Sequence, residues 1–196
     1  MPEPESICVY AGSAAGVRSS YAAAAAELGR SLGERGIRVM FGGGKVGLMG
    51  VLADAALAAG GEVTGVIPRS LLEREVGHRT LTELLVVDSM HERKLAMAER
   101  ADAFVALPGG IGTVEELVEA MTWTQLGVHA KPCAVLDVDG YWEPFTAFLD
   151  HARTEGFMRD EHRSVLLRAS DPTGLLDALA AWRPPAVQRW IGREGT

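Results

Sequence analysis

The sequence has little with which to hold a polyanion, a metal or a bilayer. Its 26 acidic residues outnumber 19 basic ones, for a formal charge of -7. That balance argues against a general nucleic-acid or anionic-membrane binder, while leaving room for a small anionic ligand in a local pocket. Only two cysteines occur, Cys8 and Cys133, each inside a strand-like apolar run. They are expected to be reduced core residues, not a disulfide. No Cys/His spacing suits zinc, and His91-Glu92 lacks the second histidine of a metalloprotease helix. No apolar run reaches membrane-spanning length. The opening residues, Met1-Pro2-Glu3-Pro4-Glu5, carry no basic or apolar signal region. A cytoplasmic protein is the expectation. Lysine is scarce too: Lys45, Lys94 and Lys131 are the whole supply. A pyridoxal enzyme needs one of them as its Schiff-base lysine.

What remains is an ordinary globular composition, 47% apolar and 23% charged over 196 residues. The length suits one domain with a full core. That domain is expected over residues 1–183, with a C-terminal tail over 184–196 that begins at Pro184-Pro185. Short apolar runs alternate with helical patterns along the whole domain. Strands are expected at residues 6–10, 37–41, 62–67, 84–87, 103–107 and 132–138, with a last one at 165–167. Helices are expected at 19–36, from 48 to about 59, at 89–101, after 113, at 142–155 and at 173–182. The stretch 69–82 is polar, irregular and long enough to be a functional loop. Such alternation means α/β architecture, a doubly wound, Rossmann-like parallel sheet with helices on both faces. Ligands of that fold lie beyond the carboxyl ends of the strands.

Two glycine-rich segments fall at such ends. Leu107-Pro108-Gly109-Gly110-Ile111-Gly112-Thr113-Val114-Glu115-Glu116 reads as strand end, turn and helix start. Glycines let the backbone approach a ligand closely, and the free N–H groups and dipole of the helix then face an anion. The same letters also fit a capping box, with Thr113 at the N-cap and Glu116 bonding back to a backbone N–H. Both readings stand at this point. Gly42-Gly43-Gly44-Lys45-Val46-Gly47 matches G-x-G-x-x-G, yet it follows the second strand, and no acid ends the next one. It is not a Walker loop, since Val46 follows Lys45. Gly12-Ser13-Ala14-Ala15-Gly16 is not a nucleophile elbow, because Ser13 lies one place early. The pieces left are two glycine turns for phosphate, a carboxylate at Glu116 and a basic pair, Arg93-Lys94. Such a pair is more often plain surface charge on a helix.

Four segments together resemble one family. They are Gly42 to Gly50, Ser89-Met90-His91-Glu92-Arg93-Lys94, Leu107 to Glu116 and Thr122-Trp123-Thr124-Gln125-Leu126-Gly127. The chain is similar to the LOG (Lonely Guy) family, whose signature P-G-G-x-G-T-x-x-E is met at every fixed position from Pro108 to Glu116. The likeness runs from about Ile7 to Phe157. It implies a cytokinin riboside 5'-monophosphate phosphoribohydrolase that splits N6-modified adenosine monophosphates, and AMP, into free base and ribose 5-phosphate. It implies catalytic roles for Arg93 and Glu116. Substrate contacts are implied for Glu75, Lys94, Glu115 and Thr122, and for the turn Gly109, Gly110, Ile111, Gly112 and Thr113. The loop around Glu75, from Leu71 to His78, diverges from the family. The resemblance further implies a homodimer or an assembly of dimers, with no metal or organic cofactor. Two other readings remain: a nucleotide-binding sensor of the same fold without turnover, and a hydrolase of the phosphate ester.

Overall fold

A computed structural model describes residues 4–72 and 77–184. The tail expected at 184–196 lies outside the described residues from 185 on. Seven strands form one sheet: β1 (Ser6–Tyr10), β2 (Arg38–Phe41), β3 (Val63–Pro68), β4 (Glu83–Val87), β5 (Ala103–Ala106), β6 (Cys133–Leu136) and β7 (Leu166–Ala169). Their order is β4-β3-β2-β1-β5-β6-β7, and every pairing is parallel. The chain therefore winds outward from β1 to β4, returns to place β5 against β1, and winds out the other way. The crevice between the ends of β1 and β5 is the switch point, where a doubly wound sheet holds its ligand.

Side chains alternate between two cores because the strand period is two. Ile7, Val9, Ala103, Val105, Ala134 and Leu136 face one layer, with α1 (Ser19–Glu34), α2 (Gly47–Ala58) and α8 (Pro172–Ala181). Cys8, Tyr10, Phe104, Ala106, Cys133 and Val135 face the other, with α4 (Met90–Arg100), α5 (Ile111–Gln125) and α6 (Glu143–Thr154). Both cysteines are buried and free. A sheet covered on both faces explains why its strands read as unbroken apolar runs rather than alternating ones.

Three differences from the expected elements have physical reasons. The stretch 69–82 begins with a helical turn, α3 (Arg69–Leu72), and its described end, 77–82, is irregular but docked. Gly77 bridges Gly44, and the His78 N–H donates to the Gly43 carbonyl (3.0 Å). A short helix, α7 (Asp160–Arg163), carries too few apolar residues to show a period. The last strand runs on to Ala169, where the Asp137 N–H donates to the Ala169 carbonyl (2.8 Å) and extends the pairing with β6. Among the described residues no helix is long and apolar enough to cross a membrane.

Candidate active site

Helix α5 starts earlier than the capping-box reading requires. Gly110 is its N-cap, and no side chain caps it. The Val114 N–H donates to the Gly110 carbonyl (3.2 Å), so Thr113 already lies inside the first turn. Thr113 is buried, and Glu116 stands six residues past the N-cap, too far along to bond back to it. The capping box is thereby excluded, and the first N–H groups of α5 are left facing outward from the turn.

The two glycine segments differ in kind. At Gly42 an added Cβ would lie 2.0 Å from Arg93 Nη2. At Gly47, where φ is +65°, it would lie 2.3 Å from the Ser13 carbonyl carbon. At Gly42 and Gly47 this loop is filled by the protein itself, unlike the more open turn after β5. Within the other turn, a Cβ on Gly109 would meet Thr113 Oγ1 at 2.2 Å. Gly110 and Gly112 would meet nothing within 4 Å, and neither has a positive φ. Among the described residues no contact demands glycine at those two positions. Open space beside bare backbone, at a helix N-terminus, is what close approach of an anion needs.

The turn borders a cavity of about 290 Å³ in the switch-point crevice. Gly12, Ser13, Tyr21, Leu48, Pro108 and Tyr141 are among its walls. The Gly12 N–H donates to the Pro108 carbonyl (3.1 Å), stitching the loops after β1 and β5 together. A larger hollow of about 390 Å³ sits at the opposite, amino end of the strands, beside the Arg38–Glu62 ion pair. The fold's ligand position favours the smaller one.

On the other flank of the turn lie Arg93 and Glu116. Arg93 is not surface charge: it is 8% exposed. Its Nε donates to the Val66 carbonyl (3.1 Å) and its Nη2 to the Gly42 carbonyl (3.2 Å), which fixes the guanidinium at the ends of β2 and β3. Glu116 is half-buried. Burial pushes its carboxyl above the ordinary 4.5, while the nearby Arg93 and Lys94 charges pull it back down. Among the described residues its side chain makes no hydrogen bond or ion pair. A half-buried carboxylate without a protein partner, in the field of a fixed cation, is costly for stability and suited to chemistry.

The other implied residues are divided by the structure. Lys94 Nζ bridges Glu115 Oε1 (2.8 Å) and Glu119 Oε1 (3.0 Å), tying α4 to α5 beside Glu116. Those bonds raise the Lys94 ammonium above its usual range, with Glu115 first. Ile111 is 87% exposed at the head of the helix. Thr122 is not brought to the turn. Its hydroxyl donates to the Val118 carbonyl (2.7 Å), and it lies about 15 Å along the axis from Gly112 at the helical rise. Glu75 lies outside the described residues. Tyr141, which the sequence reading missed, donates from Oη to the Gly109 carbonyl. Its only sequence signal is the Asp139-Gly140 turn before it.

Comparison with known proteins places these features in context. A family model described as possible lysine decarboxylase matches residues 49–179. The cytokinin riboside 5'-monophosphate phosphoribohydrolase LOG of Oryza sativa subsp. japonica is 49% identical over 178 residues, covering 91% of this chain and 74% of that protein. A cytokinin riboside 5'-monophosphate phosphoribohydrolase of Arabidopsis thaliana is 43% identical over 189 residues, covering 94% and 83%. Among solved structures, the molybdenum cofactor carrier protein of Chlamydomonas reinhardtii aligns with a TM-score of 0.67 at 23% identity, over 88% of this chain and 94% of that one. The molybdenum cofactor binding protein of Rippkaea orientalis aligns with the same TM-score at 21% identity, over 88% and 93%. Those two likenesses show the fold alone.

Proposed function

The chain belongs to the LOG family, and from that premise we propose that it hydrolyses the N-glycosidic bond of N6-modified adenosine 5'-monophosphates, and of AMP, to free base and ribose 5-phosphate. The observation that carries this reading is the half-buried Glu116 carboxylate, which has no bonding partner among the described residues, one turn beyond a glycine turn whose Gly110 and Gly112 stand clear of the described protein atoms. The 5'-phosphate binds at Gly109–Thr113, on the N–H groups and dipole of α5. Binding energy from that remote group is then used at the reacting centre. Departure of the base builds positive charge on C1' and the ring oxygen, and Glu116 lies opposite that charge. The carboxylate also orients and deprotonates the attacking water. Arg93 favours the ionised form of Glu116 against its burial. Its remaining N–H donors suit the ribose or the phosphate.

Two of the three lysines, Lys94 and Lys131, do not support a decarboxylase. Lys94 is held between two carboxylates and its ammonium is stabilised, the wrong direction for a Schiff-base nucleophile. Lys131 precedes β6, at the amino end of the sheet, and bonds the Ala98 carbonyl (2.6 Å). A homodimer is also part of the proposal. Helices α4 and α5, joined through Lys94, leave Met90, Leu95 and Val118 between 40% and 51% exposed, as a protein interface would need. Two buried free thiols suit a reducing cytoplasm.

The test is product analysis after incubation with AMP and isopentenyl-AMP. Free base with ribose 5-phosphate is expected. Intact nucleoside with inorganic phosphate would mean a phosphatase, and binding without products would mean a sensor.

A further inference from the structure

The loop between β6 and α6 is braced more firmly than a connection needs to be. Asp137 Oδ1 accepts from the Trp142 N–H (2.7 Å), and its Oδ2 pairs with Arg168. Asp139, in the left-handed region at φ 52°, accepts from Ser20 Oγ (2.6 Å) and lies 3.6 Å from Arg18 Nη1. The Tyr141 N–H donates to the Val138 carbonyl (3.1 Å). The Tyr141 ring meets Tyr21 edge-on at 5.6 Å and Trp142 at 5.4 Å. All of this presents one hydroxyl, Tyr141 Oη, to one acceptor, the Gly109 carbonyl (2.5 Å).

Gly109 is the residue before the N-cap of α5, so its carbonyl shares a peptide plane with the Gly110 N–H. No described peptide bond is cis. In a planar trans peptide the C=O and N–H point in opposite directions. A carbonyl held toward Tyr141 therefore turns the Gly110 N–H away from it. Gly110 is exposed, and a Cβ there would meet nothing within 4 Å. A hydrogen bond accepted at the carbonyl also polarises the N–H on the same amide.

We propose that Tyr141 is a positioning residue, which aims and polarises the Gly110 amide for the substrate's phosphate through the Gly109 carbonyl. This rests on the phosphate reading of the turn given above. Tyr141 would not touch the reacting atoms. It would set the affinity for the phosphate end without changing bond cleavage.

The experiment compares the full chain with Tyr141→Phe, which keeps the ring and removes the hydroxyl. Three quantities are read: the Gly110 amide resonance in ligand-free ¹⁵N-labelled protein, the Kd for ribose 5-phosphate, and KM and kcat for AMP. The Gly110 resonance should move in the free protein. Kd and KM should rise together about three- to tenfold, the size of one hydrogen bond, with kcat within about twofold. An unchanged Kd with a lowered melting temperature would overturn the proposal, leaving Tyr141 a packing residue. A changed Kd with an unmoved Gly110 resonance would overturn it as well, since the hydroxyl would then bind the ligand directly. Ribose 5-phosphate binding without base release from AMP would sink the hydrolase reading, yet the shift in Kd would still decide the role of Tyr141.

Discussion

Two glycine-rich loops share the carboxyl rim of the sheet, and the space beside them is used in opposite ways. The loop after β2 is full. Arg93 Nη2 occupies the place where a Gly42 side chain would begin, and the Ser13 backbone does the same at Gly47. The loop after β5 is divided. Gly109 is pressed against Thr113, while Gly110 and Gly112 face open space. The first loop is glycine-rich so that the protein can pack a buried cation against its own backbone. The second has glycine at two places where no described atom of the protein would meet a side chain. A glycine motif alone does not separate these cases, but the atoms surrounding each missing Cβ do.

Alanine substitution should pull the two loops apart. Gly42→Ala carries the largest expected effect. The new methyl must expel the Arg93 guanidinium or shift the loop, costing about 1–3 kcal/mol of stability as overpacking. Turnover of AMP should drop about 100-fold, as a misplaced catalytic group does. Melting curves and steady-state rates check both. Gly112→Ala, inside the first turn of α5, should not lower stability, since alanine is the better helix former, while KM for AMP rises several-fold and kcat holds. Equal loss of stability in both variants would erase the distinction.

The smallest effect concerns pH. Burial raises the Glu116 carboxyl above 4.5 in the folded chain, so the folded state holds that proton more tightly than the unfolded one. The group's contribution to stability is fully present below pH 4.5 and is lost as pH rises through the raised value. Glu116→Gln should therefore melt higher than the wild type at pH 8, with the gain vanishing at pH 4. If the carboxylate works in its ionised form, the acid limb of kcat/KM has its midpoint above 4.5. A midpoint at or below 4.5 would point to another group.

The sheet was legible because strands buried on both faces stand out as short, bounded apolar runs, such as Ala103 to Leu107. The family resemblance picked out the open turn, Arg93 and Glu116 together. Other features depend on contacts distant in sequence. Arg93 follows His91-Glu92 and precedes Lys94, so its own neighbourhood looks like solvated helix. Only the carbonyls of Val66 and Gly42, 27 and 51 residues away, make it a buried cation. The start of α5 was misread for a local reason. Thr113 with Glu116 spells a cap in the sequence, and the helix instead begins at Ile111, with Gly112 inside its first turn. Tyr141 was missed because its partner, Gly109, is 32 residues away across β6.

Whether Glu116 acts on the substrate or only on the fold is decided by separating binding from turnover in Glu116→Gln. AMP affinity is measured by calorimetry, and base release by chromatography, on the same preparation. Affinity within about threefold of the wild type, with turnover reduced at least about 100-fold, is the predicted result. Base released from AMP at the wild-type rate would contradict it.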